Sequence, residues 1–197
     1  LVGVGSVGTK VASACRSTYG SFIPRLSYLA VDTGEAPTFA REDMAQLFHV
    51  NIGGPALAGA TFCGVAETLA SKDVTLVPIL KNAGLRAQED GQAVFCTAAL
   101  GGGTGSGATP VILERCRSLN PACYLFVVAT LPSVNEPSQS HLNAYYGLAR
   151  LLRSQKEPLA DAVIIVQYDR LRRLRGVGKG GEELKMEGLL STLFRLL

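Results

Sequence analysis

Gly101-Gly102-Gly103-Thr104-Gly105-Ser106-Gly107 is the most informative run of this sequence, and it follows the apolar stretch from Ala93 to Leu100. Five glycines in seven residues cost backbone entropy that an ordinary turn would not require. Successive unhindered amides can form a concave nest for an anion, and the dipole of a following helix adds to it. Thr104 and Ser106 add hydroxyl donors, and no Gly-Lys-Ser or Gly-Lys-Thr follows, which excludes a Walker A loop. The run, called the second glycine loop below, therefore predicts a phosphate-binding site.

The glycines of this loop also give an expectation that a substitution can test. Cβ atoms at Gly103 or Gly105 would intrude where the backbone amides must approach a phosphate. We therefore expect that a bulkier residue at either position abolishes binding while the domain still folds.

On both sides of the loop, short apolar runs alternate with stretches of helical periodicity. The pattern predicts strands over 1–2, 26–31, 93–100, 124–129 and 163–166, and helices over 7–16, 41–48, 59–72, 74–86, 107–118, 142–153 and 182–197. Continuous apolar strands that alternate with helices predict an α/β domain: a Rossmann-like, three-layer parallel sheet with helices on both faces. Ligands of such folds bind at the carboxyl ends of the strands.

Composition is typical of a globular domain with one buried core. The chain has 197 residues, of which 47% are hydrophobic and 18% charged. A net charge of +3 gives no basis for predicting a nucleic-acid partner, and no apolar run is long enough for a transmembrane helix. The five cysteines lie in apolar runs without paired spacing, so we expect free thiols in a reducing, cytoplasmic compartment.

A first glycine loop, Gly3 to Lys10, follows the opening strand and begins a helix. Its glycines match the GxGxxG spacing of dinucleotide-binding proteins, and Asp32 ends the next strand, where such enzymes hold a ribose. This loop alone favours an NAD(P)-dependent oxidoreductase as much as any other function, and a plain glycine-rich turn is the structural alternative. A dinucleotide needs no second phosphate loop, whereas a triphosphate has enough anionic oxygens to use two.

Residues Ala99 to Gly107 resemble the signature loop of the tubulin/FtsZ superfamily, a motif that is highly specific. Other loops of that family are matched in the same order along nearly the whole chain. The matched segments are Gly3–Lys10 (first phosphate loop), Val31–Gly34 (second loop), Asn51–Pro55 (third loop, which senses the γ-phosphate), Thr130–Pro137 (sugar-binding loop) and Val163–Leu171 (strand and loop near the guanine). We identify the chain as a divergent prokaryotic member, and the expected fold is that of the family's GTPase domain.

The resemblance implies that the ligand is GTP or GDP with Mg²⁺. The first glycine loop would lie near the α- and β-phosphates, and the second would wrap the β- and γ-phosphates. Glu136 would accept hydrogen bonds from the ribose hydroxyls, and Asp32 or Glu35 would lie nearest the magnesium. The predicted nucleotide-binding set is Gly5, Ser6, Lys10, Asp32, Gly53, Gly54, Gly101, Gly102, Gly103, Thr104, Gly105, Ser106, Glu136, Tyr168 and Asp169.

Some positions depart from the family pattern. Gly34 stands where FtsZ has an aspartate, so the metal ligands stay unassigned. Ser140 and the following histidine stand where FtsZ has an arginine. Tyr168 aligns with the family's guanine-reading asparagine. We expect that guanine is still preferred, through Asp169 and backbone groups or through Gln167, but by a narrower margin over adenine.

The resemblance implies a GTP-binding cytoskeletal protein, of the kind that serves cell division, which self-associates into protofilaments. An acidic loop of the neighbouring subunit would complete GTP hydrolysis, so we assign no catalytic residue to this chain. Residues 1–181 would form the GTP-binding domain and residues 182–197 the start of a central helix, with the C-terminal domain absent from this chain. Two alternatives stay open: an NAD(P)-dependent oxidoreductase and a non-hydrolysing structural relative of tubulin and FtsZ.

Overall fold

The computed structural model describes residues 1–20, 26–34, 47–53, 62–87, 89–152 and 158–170. Within these ranges six strands form one parallel sheet: β1 (Val2–Val4), β2 (Tyr28–Asp32), β3 (Leu47–Asn51), β4 (Ala93–Ala99), β5 (Tyr124–Leu131) and β6 (Ala162–Gln167). The helices are α1 (Gly5–Tyr19), α2 (Cys63–Lys72), α3 (Leu76–Asn82), α4 (Gly103–Leu119) and α5 (Ser138–Leu152). The predicted helix over 182–197 lies outside the described residues.

The strands lie in the order β3-β2-β1-β4-β5-β6, and every neighbouring pair is parallel. The chain moves outward in one direction from β1 and in the other direction from β4. Because parallel strands are joined by right-handed crossovers, this reversal places the connecting helices on opposite faces. The predicted Rossmann-like fold with helices on both faces is therefore confirmed.

Alternate residues of the buried strands pack against the two layers of helices. Leu29 and Val31 of β2 belong to the larger core cluster, which also contains residues of α2, α3, α4 and α5. Tyr28 and Ala30 of β2 pack with the side chains of α1 on the other face. Burial on both faces explains why these strands read as continuous apolar runs.

One predicted element is wrong where the structure describes it. The sequence predicts a helix over 41–48, but residues 47–51 form β3, an outer strand of the described sheet. Phe48, Val50 and Ile52 pack into the larger core cluster, whereas His49 and Asn51 alternate with them. This period of two is the pattern of a strand with one buried face, and a helical reading of the preceding residues obscured it.

Both helices that follow the glycine loops begin earlier than expected. Helix α1 begins at Gly5 instead of residue 7, and α4 begins at Gly103 instead of Gly107. Glycine is a weak helix former, so sequence propensity delays the predicted start. The second half of the second glycine loop is in fact the first turn of α4.

Candidate functional site

The two glycine loops meet at the point where the strand order reverses. They follow β1 and β4, which are neighbours in the sheet. Gly5 has a φ of 71°, and a Cβ atom placed on it would lie 3.1 Å from the Gly105 backbone nitrogen. A side chain at residue 5 would therefore be strained by its backbone conformation and crowded by the other loop. The sequence predicted each loop separately, and the fold brings them into contact.

A pocket of about 210 Å³ lies between the loops and is called the inter-loop pocket below. Its lining residues are Val4, Gly5, Ser6, Val7, Ala99, Gly102, Thr104 and Gly105. Helices α1 and α4 both begin at this pocket, and within the described residues neither has a side-chain hydrogen bond at its N-cap or an acidic residue in its first turn. The first amides of a helix lack partners within the helix, and the helix dipole is positive at this end. Two such ends make the inter-loop pocket a suitable anion site.

Several glycines of the loops serve close packing instead of ligand approach. A Cβ atom at Gly105 would overlap the Ala99 carbonyl oxygen of β4, and one at Gly107 would overlap the Cys63 carbonyl oxygen of α2. A Cβ atom at Gly8 would overlap the Thr97 carbonyl oxygen in the same way. The expectation that a bulky residue at Gly105 leaves a folded domain is therefore wrong, because the clash is with the sheet backbone.

The hydroxyls of the second glycine loop bond within the protein. Thr104 Oγ1 lies 2.8 Å from Thr33 Oγ1, and both side chains are buried. Ser106 donates its hydroxyl to the Leu100 carbonyl oxygen. Asp32 Oδ1 accepts a hydrogen bond of 2.8 Å from the Thr33 amide. Thr33 thus joins the second loop of the family pattern to the inter-loop pocket. Sequence reasoning missed this role, although a threonine directly after a strand's carboxyl end was a usable signal.

The remaining predicted phosphate-site residues lie near these loops or beyond the described ranges. Ser6 lines the inter-loop pocket and is exposed, and Lys10 is exposed one helical turn later on α1. Gly53 has a φ of 70° and donates its amide to Asn51 Oδ1 at 2.8 Å, which fixes a turn after β3. Gly54 and Glu35 lie outside the described residues. Within the described ranges, no group of three or more His, Cys, Asp or Glu side chains could hold a metal ion.

A second and larger pocket, of about 640 Å³, opens at the carboxyl ends of β5 and β6 and is called the β5–β6 pocket below. Its lining residues are Leu131, Pro132, Val134, Asn135, Gln167, Asp169 and Arg170. Tyr168, the residue aligned with the guanine-reading asparagine, is not among the described residues that line it. Polar side chains on both of its walls could hydrogen-bond a planar heterocycle.

Asp169 joins the two walls of this pocket. Its Oδ1 accepts a hydrogen bond of 2.7 Å from the Ser133 hydroxyl, and its Oδ2 accepts one of 2.9 Å from the Val134 amide. Both carboxylate oxygens therefore hold the loop after β5 against the segment after β6. This arrangement favours a structural role for Asp169, with Gln167 and Asn135 as the amide side chains on the pocket wall.

Glu136 lies between the two pockets. Its Oε1 accepts a hydrogen bond of 2.8 Å from the Ser133 amide. Its Oε2 would lie 3.1 Å from a Cβ atom placed on Gly101, at the start of the second glycine loop. The residue is exposed, so a carboxylate oxygen can face a ligand that spans both pockets.

These features define a parallel α/β domain with a candidate anion site between its two glycine loops. A family model described as Tubulin/FtsZ family, GTPase domain, matches residues 78–176. The chain belongs to the tubulin/FtsZ family. This assignment argues against the dehydrogenase hypothesis, which rested on the first glycine loop and Asp32.

Individual relatives agree with the assignment. The chain is 41% identical over 85 residues to cell division protein FtsZ 1 of Pyrococcus horikoshii, which covers 43% of this chain and 21% of that protein. It is 28% identical over 175 residues to the tubulin-like protein CetZ2 of Haloferax volcanii, which covers 87% of this chain and 46% of that protein. The chain therefore spans less than half the length of these curated relatives.

Solved structures show the same fold. A GTPγS-bound protofilament of CetZ2 from Haloferax volcanii superposes with a TM-score of 0.71 at 24% identity, over 99% of this chain and 56% of that one. An empty FtsZ dimer of M. jannaschii superposes with a TM-score of 0.65 at 20% identity, over 98% of this chain and 50% of that one. In the part of the chain that the structure describes, no helix is long and apolar enough to cross a membrane.

Proposed function

We propose that this protein is a GTP-binding cytoskeletal protein that assembles into protofilaments, with GTP hydrolysis completed by the neighbouring subunit. The observation that carries the proposal is the contact between the two glycine loops, which brings two uncapped helix N-termini to one pocket. A chain of phosphates carries several negative charges in a row and can use both ends at once. The relatives with a bound GTP analogue and with assembled subunits support the nucleotide and the self-association.

The phosphates would occupy the inter-loop pocket. Backbone amides of Gly5, Gly102 and Gly103 would donate to phosphate oxygens, and Ser6 and Lys10 would lie beside the α- and β-phosphates. Mg²⁺ binds through few protein carboxylates and mainly through phosphate and water, so the phosphates themselves would supply much of its coordination. Asp32, at the end of β2 beside Thr33, would be the nearest carboxylate among the described residues.

The nucleoside would occupy the β5–β6 pocket, with Glu136 between the two pockets accepting from the ribose hydroxyls. The amide of Gln167 both donates and accepts, so it can match the adjacent donor and acceptor groups of guanine. Asp169 would shape the pocket by holding Ser133 and Val134 in place. We therefore assign guanine recognition to Gln167 in place of Tyr168, one residue earlier than the family alignment suggested.

Hydrolysis within this chain would rest on positioning and charge stabilisation. Helix-end amides and the magnesium ion would stabilise the charge that develops on the transferring phosphate. An acidic loop of the next subunit would orient the attacking water, so turnover per subunit of the full-length protein should rise with protein concentration as filaments form, whereas residues 1–197 alone should turn over GTP negligibly at any concentration.

The test is to identify the nucleotide that co-purifies with the protein and to titrate the nucleotide-free protein with GTP, ATP and NADPH. We expect GTP or GDP to co-purify, GTP to bind most tightly, and GTP to promote sedimentation of polymer. Turnover measured over a range of protein concentrations should rise more than linearly. Co-purification of NADP⁺, or no affinity for any nucleotide, would overturn the proposal. Polymer that forms without GTP turnover would support the non-hydrolysing relative instead.

A further inference from the structure

Asn143 is a buried polar side chain outside both pockets, and it connects three parts of the fold. It lies on α5 with a fractional exposure of 1%. Its Nδ2 donates to the Gly101 carbonyl oxygen at 3.1 Å. Its Oδ1 accepts from the Cys63 amide at 3.1 Å and from Gln139 Nε2 at 3.1 Å. One side chain thus links the second glycine loop to the start of α2.

The polarity of these partners requires an amide at position 143. A backbone carbonyl can only accept, and a backbone amide can only donate. The side chain must therefore offer a donor to Gly101 and an acceptor to Cys63, and asparagine offers both within one short group. The same partners fix which end of the amide carries the oxygen. Aspartate would supply the acceptor but no donor, and leucine would supply neither.

The bond to Gly101 fixes the orientation of a peptide that faces the inter-loop pocket. The peptide unit is planar and trans, so the N–H of Gly102 points opposite to the C=O of Gly101. Asn143 holds that carbonyl on the α5 side, which directs the Gly102 N–H away from α5. Gly102 lines the inter-loop pocket and is the N-cap of α4. Three consecutive glycines have unusually free backbones, so an external hydrogen bond has a large influence on their conformation.

The bond to Cys63 ties this orientation to the packing of α2. Cys63 is the first residue of α2, and the N-cap residue Phe62 makes no side-chain capping hydrogen bond. Asn143 Oδ1 therefore caps α2 from a neighbouring helix. Gly107 in the first turns of α4 packs so closely on the Cys63 carbonyl that a Cβ atom could not be accommodated. Movement of the second glycine loop is thus resisted by α2 and α5 together.

We propose that Asn143 is a positioning residue for the phosphate site: it holds the Gly101–Gly102 peptide with its N–H toward the β- and γ-phosphates. The inference rests on the proposed function, since it concerns the same nucleotide. Asn143 lies outside both pockets and acts only through the backbone of the second glycine loop. This role predicts that the Asn143 side chain contributes to binding of the β- and γ-phosphates. It should contribute much less to binding of the α-phosphate, which would lie beside the first glycine loop.

The experiment compares the wild type with Asn143→Asp, Asn143→Leu and the control Gln139→Leu. The control removes one donor to Asn143 Oδ1 and leaves the bond to Gly101 intact. A fluorescent GTP analogue is displaced by GMP, GDP and GTP at a temperature where every variant is folded, and the melting temperature is recorded without nucleotide. We expect both Asn143 variants to bind GDP and GTP about 10-fold more weakly than the wild type, with GMP changed by less than about threefold.

The variants are chosen so that each alternative gives a distinct result. Asn143→Asp retains the acceptor for α2 and should fold even if Asn143→Leu does not. If Asn143→Asp and Asn143→Leu lose the same affinity for GDP and GTP, repulsion by the new carboxylate is excluded as the cause of the loss. Wild-type affinity for GDP and GTP in folded Asn143→Asp would overturn the inference, as would an equal loss for GMP, GDP and GTP. Absence of nucleotide binding by the wild type would overturn the proposed function itself.

Discussion

The inter-loop pocket is formed mainly by backbone, whereas the β5–β6 pocket is formed by side chains. Around the first pocket, Gly5 and Gly102 line the cavity with backbone and carry no Cβ atoms. Around the second, Asn135, Gln167 and Arg170 supply polar groups at the ends of two strands. The first arrangement suits any phosphate chain, and the second can discriminate one base from another.

This difference decides how each region responds to change. A backbone site depends on the absence of side chains, so a single added methyl group would clash with the backbone of neighbouring elements and displace both the sheet and the loops. A side-chain site depends on the presence of particular groups, so a substitution removes one contact and leaves the surrounding fold in place. We therefore expect large losses of stability at the glycines and small, selective effects at the β5–β6 pocket.

The largest effect is expected for Gly105→Val. The new side chain would overlap the Ala99 carbonyl oxygen of β4, and that backbone is fixed by the ladder to β5. We expect a loss of about 3 kcal/mol or more in the free energy of unfolding, or no folded protein, measured by urea denaturation. Gly34→Ala is the matched control, because a Cβ atom at Gly34 meets nothing within 4 Å. A Gly105→Val protein as stable as the wild type would show that the two loops are not packed as described.

The same contrast explains what the sequence could predict. The glycine loops left a compositional signal, since few other structures need five glycines in seven residues. Strands β4 and β5 were predicted from continuous apolar runs, because both of their faces are covered. Strand β3 was not predicted, because an outer strand with alternating burial is easily mistaken for part of a helix.

Contacts between distant residues were beyond the reach of the sequence. Thr33 bonds to Thr104 across 71 positions, and Asn143 bonds to Cys63 across 80. The position of Thr33 directly after a strand does not identify Thr104 as its partner, and the local pattern around Asn143 does not distinguish it from other polar residues of a helix. The same limit applies to the residue that we propose for base recognition: the alignment indicated Tyr168, whereas the fold places Gln167 in the lining of the pocket.

Thr104→Val tests a side-chain contact that joins the inter-loop pocket to Thr33, in the second loop of the family pattern. The substitution keeps the shape and leaves the Thr33 hydroxyl buried without its partner, which costs about 1–3 kcal/mol in the free energy of unfolding. Thr33→Val should cost a similar amount. Because Thr104 lines the inter-loop pocket and buried Thr33 does not, Thr104→Val alone should also weaken GTP binding by about 10-fold in calorimetric titration. Equal GTP affinities of the two variants would contradict a direct role for the Thr104 hydroxyl.

Gln167→Leu tests whether base selectivity belongs to the β5–β6 pocket. Removing the amide deletes a hydrogen-bonding contact worth about 1 kcal/mol or slightly more, so the ratio of GTP to ATP affinity should fall about 5- to 10-fold. Stability should change little, because Gln167 is exposed at the end of β6. Tyr168→Phe is the control and should leave the ratio within about twofold. The opposite pattern, with the ratio moved by Tyr168→Phe and unmoved by Gln167→Leu, would restore the family alignment.

The smallest effect is expected for Ser133→Ala, which loosens one wall of the β5–β6 pocket without touching its reading groups. The substitution removes the hydroxyl that donates to Asp169 Oδ1, while the Val134 amide still donates to Oδ2. The bond from the Val134 amide still holds the two loops together, so the free energy of unfolding should fall by only about 0.5–1.5 kcal/mol. Ser118→Ala is the control, because the Ser118 hydroxyl donates to the Glu114 carbonyl on an exposed helix surface. Its substitution should change the free energy of unfolding by close to zero. The difference between the two variants in urea denaturation isolates the buried contact.

The GTP affinity of Ser133→Ala should weaken by no more than about threefold, because the inter-loop pocket is left intact. If Ser133→Ala instead abolished GTP binding, the two pockets would form one cooperative unit, and the distinction between a backbone site and a side-chain site would fail.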